Sequence, residues 1–187
     1  MNKSADARRS VQMREKNARI PTRIYLVGFM GAGKTSVGLR LAELLGWHFV
    51  DLDQEIETRE GEPIRSIFKS RGEARFREIE RKELERVSLL ARTVVALGGG
   101  TYCREDNRKT VEATGVSIWL DVSIQTIAGR CAGDNSRPLF TSQSEMEQLL
   151  ESRRPLYEKS SLRIEADTQP VDALARRILH LLGKHTG

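Results

Sequence analysis

The residues of this chain best suited to chemistry come early, where three glycines lead into a lysine and a threonine. Gly28-Phe29-Met30-Gly31-Ala32-Gly33-Lys34-Thr35 satisfies G-x-x-x-x-G-K-[ST] in full, after an apolar run and before a helical pattern. Glycines let successive backbone N–H groups turn inward onto phosphate oxygens. A helix opening after Gly33 adds its partial positive end. Gly31, Ala32, Gly33, Lys34, Thr35 and Ser36 are therefore expected to bind ATP, with Lys34 bridging the β- and γ-phosphates and the Thr35 hydroxyl ligating Mg²⁺. The glycine order misses the dinucleotide fingerprint G-x-G-x-x-G, which disfavours NAD.

A phosphoryl donor needs an acceptor, and the next candidates are Asp51 and Asp53 in "FVDLD". Side chains two apart on a strand share a face, so both carboxylates could point into the crevice at the carboxyl ends of the strands. One could stand near Mg²⁺ while the other takes an acceptor hydroxyl proton. Equally, the strand could simply end in polar residues, one of them capping the following helix. A second glycine run, Gly98-Gly99-Gly100, either lets a ligand approach the backbone closely or makes a plain tight turn.

These groups must be carried by regular elements, and the hydropathy pattern supplies them. Five short apolar runs, at 23–27, 48–53, 93–98, 116–121 and 162–167, read as strands buried on both faces, hence a parallel sheet. Helical periodicity occupies 34–45, 73–91, 104–113, 123–131, 143–153 and 171–182. The alternation argues an α/β fold with right-handed crossovers. Two stretches interrupt it: about forty residues between the second and third strands, and the loop-like "CAGDNSRPLFTSQ" at 131–143. Extra material at such places commonly binds substrate or covers it.

Composition narrows the setting. The 187 residues, 30% charged and 39% hydrophobic, suit one globular domain. No apolar run approaches a membrane span, and two cysteines without metal or disulfide spacing point to a reducing, cytoplasmic compartment. The net charge of +5 comes entirely from residues 1–23, which hold seven basic and two acidic side chains; the remainder carries 24 of each sign. A nucleic-acid partner therefore has no electrostatic footing in the domain. Residues 1–21 are expected to be a basic, solvated extension rather than a secretory signal, and their acidic residues and short length argue against a transit peptide.

Taken together and in order, the phosphate loop, "DLD", "GEARFREIE" (72–80), "GGG" (98–100), "SRPLF" (136–140) and "RRPLY" (153–157) resemble the shikimate kinase family over residues 22–183. The resemblance implies a three-layer α/β/α phosphate-loop kinase fold, with a five-stranded parallel sheet in order 2-3-1-4-5. It implies one kinase domain over 22–187, a shikimate-binding insertion at about 52–80 and a lid at about 132–144. The implied partners are ATP and shikimate, with Mg²⁺, in a monomer that phosphorylates the 3-hydroxyl of shikimate. By the same resemblance Asp53 binds that hydroxyl, Arg77 and Arg153 grip the shikimate carboxylate, and Gly99, flanked by Gly98 and Gly100, adds its backbone N–H. Arg137 in the lid reaches the transferring phosphate, Asp51 stands near Mg²⁺ through water, and Arg130 and Pro170 sandwich adenine. Phe68 and Phe76 wall the pocket. The departures are Leu97 ahead of the glycine run and the bulk of Trp47 before Phe49, neither in a functional role.

The residue types suit the task. Planar guanidinium forks match a carboxylate bidentately, and a closing arginine-bearing lid keeps water from the γ-phosphate. Read alone, Arg77 is a helix-surface residue paired with Glu73 and Glu80, and "SRRPLY" a basic helix end before a proline; the preference for Arg153 over Arg154 rests on the family register. Gluconate kinase is the nearest rival, disfavoured by "GEARFRE" and "SRPLF". A nucleotide kinase lacks a second base pocket, and a GTPase lacks its guanine-reading Asn-Lys-x-Asp.

Overall fold

A computed structural model of the chain describes residues 21–131 and 143–185. Five strands, β1 (Arg23–Val27), β2 (His48–Asp51), β3 (Thr93–Ala96), β4 (Val116–Asp121) and β5 (Leu162–Glu165), form one all-parallel sheet in the order β2-β3-β1-β4-β5. The described residues also form seven helices: α1 (Lys34–Leu45), α2 (Leu52–Glu60), α3 (Ile64–Val87), α4 (Glu105–Thr114), α5 (Ile124–Cys131), α6 (Gln143–Tyr157) and α7 (Val171–His185).

Ile24 to Val27, all four residues of β3 and the last five of β4 are buried, so the central strands are covered on both faces. Helix α1 lies on β1, β2 and β3 and packs against α7; α4 lies on β4 and packs against α3. The close approach of α1 to the sheet depends on Gly38, where a methyl group would lie 2.4 Å from the Phe49 ring. Trp47, which precedes Phe49 by two, packs half-buried against the core. Buried Leu97 continues β3 into the loop, its N–H donating to the Leu26 carbonyl.

The topology places the carboxyl ends of β1, β2 and β3 side by side, with Asp51 in register with Ala96 and Leu26 with Ala96. Loops leaving these three ends must therefore meet over one crevice, where α/β folds bind ligands.

Three expectations need correction. The run 48–53 is strand only to Asp51, because the Asp51 carboxylate turns back to cap the next helix and Leu52 and Asp53 already belong to α2. Asp51 and Asp53 therefore do not share a strand face. Helix also occupies 52–60 and 64–71, where the sequence shows weak periodicity; α3 starts at Ile64 and is interrupted at Gly72, whose φ of 77° lies in the left-handed region. Lastly, α6 does not stop before Pro155 but runs through it to Tyr157. The basic extension (1–20) and most of the expected lid, including Arg137, lie outside the described residues.

Candidate active site

The phosphate loop joins β1 to α1. Gly28 has φ 142°, and a methyl there would lie 2.8 Å from the Leu120 carbonyl, so only glycine lets the loop turn against β4. Gly31 and Gly33 follow at φ 73° and 90°. Helix α1 then opens with no side-chain cap and no acidic residue in its first turn. Its leading N–H groups and positive dipole end thus face the loop rather than a carboxylate. Lys34 arches over that loop, donating to the carbonyls of Gly28 at 2.9 Å and Phe29 at 2.8 Å. Thr35 and Ser36 are exposed on the first turn.

Asp51 serves two elements at once. Its Oδ1 accepts from the N–H groups of Asp53 at 3.2 Å and Gln54 at 3.4 Å, capping α2, while Oδ2 accepts from the Thr35 hydroxyl at 2.7 Å. A hydroxyl beside a carboxylate at a phosphate loop is a hard-oxygen pair that suits Mg²⁺. Among the described residues no group of three or more His, Cys, Asp or Glu could hold a metal. A divalent cation here would complete its shell with phosphate and water oxygens, as Mg²⁺ commonly does.

The glycine run after β3 forms the floor on which the remaining groups converge. A methyl at Gly98 would lie 2.5 Å from Asp53 Oδ1, and one at Gly99 would lie 3.4 Å from the Met30 nitrogen and 3.5 Å from Arg153 Nη1. At Gly100 it would lie 3.2 Å from both terminal nitrogens of Arg77 and 3.4 Å from Arg153 Nη2. Asp53, Arg77, Arg153 and the phosphate loop are therefore brought together over three consecutive glycines whose missing side chains leave the room. Without Cβ atoms, the backbone of this run can approach a ligand directly.

Arg77 is held on two sides. Its Nη1 donates to Glu80 at 3.2 and 3.0 Å, and its Nε and Nη2 donate to Glu73 at 3.2 and 3.1 Å, leaving the Nη1–Nη2 end directed at Gly100. Burial works against its charge, but Glu80 and Glu73 outweigh that cost and raise its pKa above the ordinary guanidinium value. Both ion pairs that the helical spacing allows are formed. Phe68 and Phe76 stack across the Gly72 interruption with ring centroids 4.5 Å apart, beside Arg77, whose guanidinium carbon lies 5.2 Å from the Phe76 centroid.

Arg153 and Arg154 diverge although they are neighbours on α6. The Arg153 guanidinium turns toward the glycines and lies 5.7 Å from the Phe29 ring centroid. Arg154 instead donates to Asp121 at 3.4 Å and Glu151 at 3.2 Å, 5.9 Å from the Trp119 ring centroid. Tyr157, the last residue of α6, donates its hydroxyl to the Gly99 carbonyl and anchors the helix end to the floor. Burial, followed by the neighbouring Cys103, pushes the Tyr157 phenol far above its usual value, so it acts as a donor. Burial likewise raises the Cys103 thiol.

On the other side of the loop, Arg130 donates to the Gly31 carbonyl at 3.2 Å and to those of Ala166 and Asp167 at 3.4 and 3.2 Å. It thereby spans from the phosphate loop to the segment between β5 and α7 that ends in exposed Pro170. Asp167 is fixed in turn by Ser123, whose hydroxyl and N–H donate to it at 2.7 and 2.8 Å and hold its carboxyl below the usual range.

Sequence reasoning missed Tyr157 and Thr101 as members of this cluster. The first lies within "RRPLY", where a tyrosine closing a basic helix end carries no signal of its own. The second contacts Glu80, 21 positions away, and has no sequence signal.

The chain matches the family model "Shikimate kinase" over residues 30–183. A curated shikimate kinase from Persephonella marina is 41% identical over 83% of this chain and 96% of that protein. One from Synechococcus elongatus is 43% identical over 85% of each. Among solved structures, a shikimate kinase from Acinetobacter baumannii in complex with shikimate superposes with a TM-score of 0.84 at 37% identity, covering 90% of this chain and 96% of that one. A gluconokinase from Sinorhizobium meliloti has a TM-score of 0.56 at 22% identity, covering 89% and 94%, a likeness of fold alone.

Proposed function

The chain belongs to the shikimate kinase family, and from that premise we propose that it transfers the γ-phosphoryl group of ATP to the 3-hydroxyl of shikimate. The observation that carries the reading is the convergence of Asp53, Arg77 and Arg153 on Gly98–Gly100, directly against the phosphate loop. Two cationic forks and one carboxylate around a small cleft suit a substrate with a carboxylate at one end and an attacking hydroxyl at the other.

In this reading Arg77 and Arg153 take the shikimate carboxylate, with the Gly99 N–H beside them, and the aromatic pair Phe68 and Phe76 walls the ring. Asp53 accepts the hydrogen bond of the 3-hydroxyl. As the hydroxyl oxygen bonds to the γ-phosphorus, the bond from that phosphorus to the β,γ-bridging oxygen breaks, and the hydroxyl proton passes to Asp53. The products are shikimate 3-phosphate and ADP. The loop N–H groups and Lys34 offset charge on the phosphates, Lys34 exchanging its carbonyl partners for phosphate oxygens. Thr35, with Asp51 acting through water, would hold Mg²⁺, which when bound would supply neutralisation of the phosphate charge. Arg130 and Pro170 are the proposed adenine contacts, and Arg137 of the lid the proposed contact to the moving phosphate.

We also infer a monomer acting in the cytoplasm. The sparse cysteines support a reducing compartment, and no helix of the described residues is long and apolar enough to cross a membrane. The decisive experiment is a coupled ADP-release assay with MgATP against shikimate, gluconate and nucleoside monophosphates. Turnover with shikimate alone is expected. Faster turnover with gluconate or a nucleotide would overturn the assignment.

A further inference from the structure

We propose that Thr101 is a positioning residue for shikimate binding, setting the Arg77 guanidinium through the buried carboxylate of Glu80; the proposal rests on the assignment of Arg77 to the substrate carboxylate.

Glu80 is 1% exposed and Thr101 is fully buried. A buried carboxylate must be paired and hydrogen-bonded to remain where it is. Glu80 receives Arg77 Nη1 at 3.2 and 3.0 Å, and the Thr101 hydroxyl donates to Oε1 at 2.7 Å, the shortest of the three contacts. The Arg77 contact lies within one helix and cannot by itself register that helix against the rest of the site. The Thr101 contact can, because Thr101 directly follows the glycine run.

Thr101 is itself well fixed. Its N–H donates to the Gly98 carbonyl at 3.1 Å, and its own carbonyl accepts from the side chain of buried Asn107 at 3.1 Å. The chain Thr101–Glu80–Arg77 thus leaves the floor of the site, passes through α3 and returns to the floor, where Arg77 and Arg153 meet at Gly100. Two like-charged guanidiniums converging on one backbone position repel each other. An anchored counter-carboxylate keeps one of them in place. Without the hydroxyl, Glu80 loses its link to the floor and Arg77 can swing with it.

The test is Thr101→Val, which keeps shape and removes the hydroxyl, alongside Thr101→Ser, Arg77→Ala and the Thr101→Val/Arg77→Ala double variant. Steady-state constants for shikimate and ATP are measured for each, with thermal melting to show that each folds; if Thr101→Val does not fold, Thr101→Ala takes its place. We expect Thr101→Val to raise KM for shikimate about 5- to 20-fold, at or below the roughly 13- to 160-fold that outright loss of a hydrogen bond to a charged group costs, because Arg77 is displaced rather than removed. KM for ATP should stay within about twofold, and Thr101→Ser should restore KM for shikimate. Because Thr101 acts through Arg77, the double variant should be no worse for shikimate than Arg77→Ala alone. An unchanged KM for shikimate in Thr101→Val, equal loss for both substrates, or full additivity in the double variant would overturn the proposal. If Arg77→Ala raises KM for shikimate but Thr101→Val does not, the arginine clamp stands and Thr101 is only structural. If Arg77→Ala leaves KM unchanged, the clamp falls and this proposal falls with it.

Discussion

The Thr35 hydroxyl donates to Asp51 at 2.7 Å while the other oxygen of the same carboxylate caps α2. One side chain therefore links the first turn of the phosphate-loop helix to the start of the helix that carries Asp53. The double duty separates two effects of mutation. Asp51→Asn keeps an oxygen that can cap α2 but removes the charge facing Thr35. It should melt within a few degrees of wild type yet require about tenfold more Mg²⁺ for half-maximal turnover. Asp51→Ala should in addition lose roughly 0.5–2 kcal/mol of stability with the cap. A Mg²⁺ requirement unchanged in both variants would limit Asp51 to capping.

Arg153 and Arg154 offer a matched pair on one helix. Arg153→Ala should raise KM for shikimate at least about tenfold, since a charge-assisted hydrogen bond is worth roughly 1.5–3 kcal/mol. Arg154→Ala should leave both substrate constants near wild type and lower stability by about 1 kcal/mol, because Arg163 still pairs with Asp121 at 2.5 Å. Kinetics and urea unfolding of the two variants check this. The reverse pattern would exchange their assignments.

Gly98 tests the close approach of backbone to carboxylate. A methyl there meets Asp53 Oδ1 at 2.5 Å and the Thr101 hydroxyl at 2.9 Å, both too close, so Asp53 above all must move. Gly98→Ala is expected to lower shikimate turnover more than about tenfold, since displacement of about 1 Å in a reacting geometry can cost two orders of magnitude. ATP affinity, measured by titration calorimetry, should hold. Normal turnover would show that Asp53 can move without consequence.

What the sequence could disclose followed from how local each signal was. Strands β1 and β4 and helix α1 match their expected spans because buried apolar runs and a glycine-closed helix are local patterns. The sheet order came from the family resemblance and agrees with the structure. Helix α2 is absent from the expected spans because "VDLD" alternates like a strand; of the two readings open for this pair, the helix cap is the one formed, by Asp51 to the N–H groups of Asp53 and Gln54. The pairing of Arg77 with Glu73 and Glu80 was visible as helical spacing. The contacts from Thr101 to Glu80, Tyr157 to Gly99 and Arg154 to Asp121 span 21, 58 and 33 positions, and no periodicity joins residues so far apart.

Asp53→Asn is the most direct test of the acceptor site. Asp53 stands half-buried in the first turn of α2, its Oδ1 2.5 Å from where a methyl at Gly98 would lie. The substitution preserves size, and capping of α2 depends on Asp51, so the fold and the phosphate loop should survive. What it removes is the negative charge that would orient the 3-hydroxyl and receive its proton as the oxygen attacks. Loss of general-base help typically costs about 10²–10⁴ in rate. Nucleotide affinity should barely change, because Lys34, Thr35 and the loop N–H groups are untouched. The measurement is shikimate turnover at saturating MgATP, with ATP binding followed by titration calorimetry. Turnover within about threefold of wild type would make Asp53 a plain first-turn residue, and the acceptor-site assignment would fail with it.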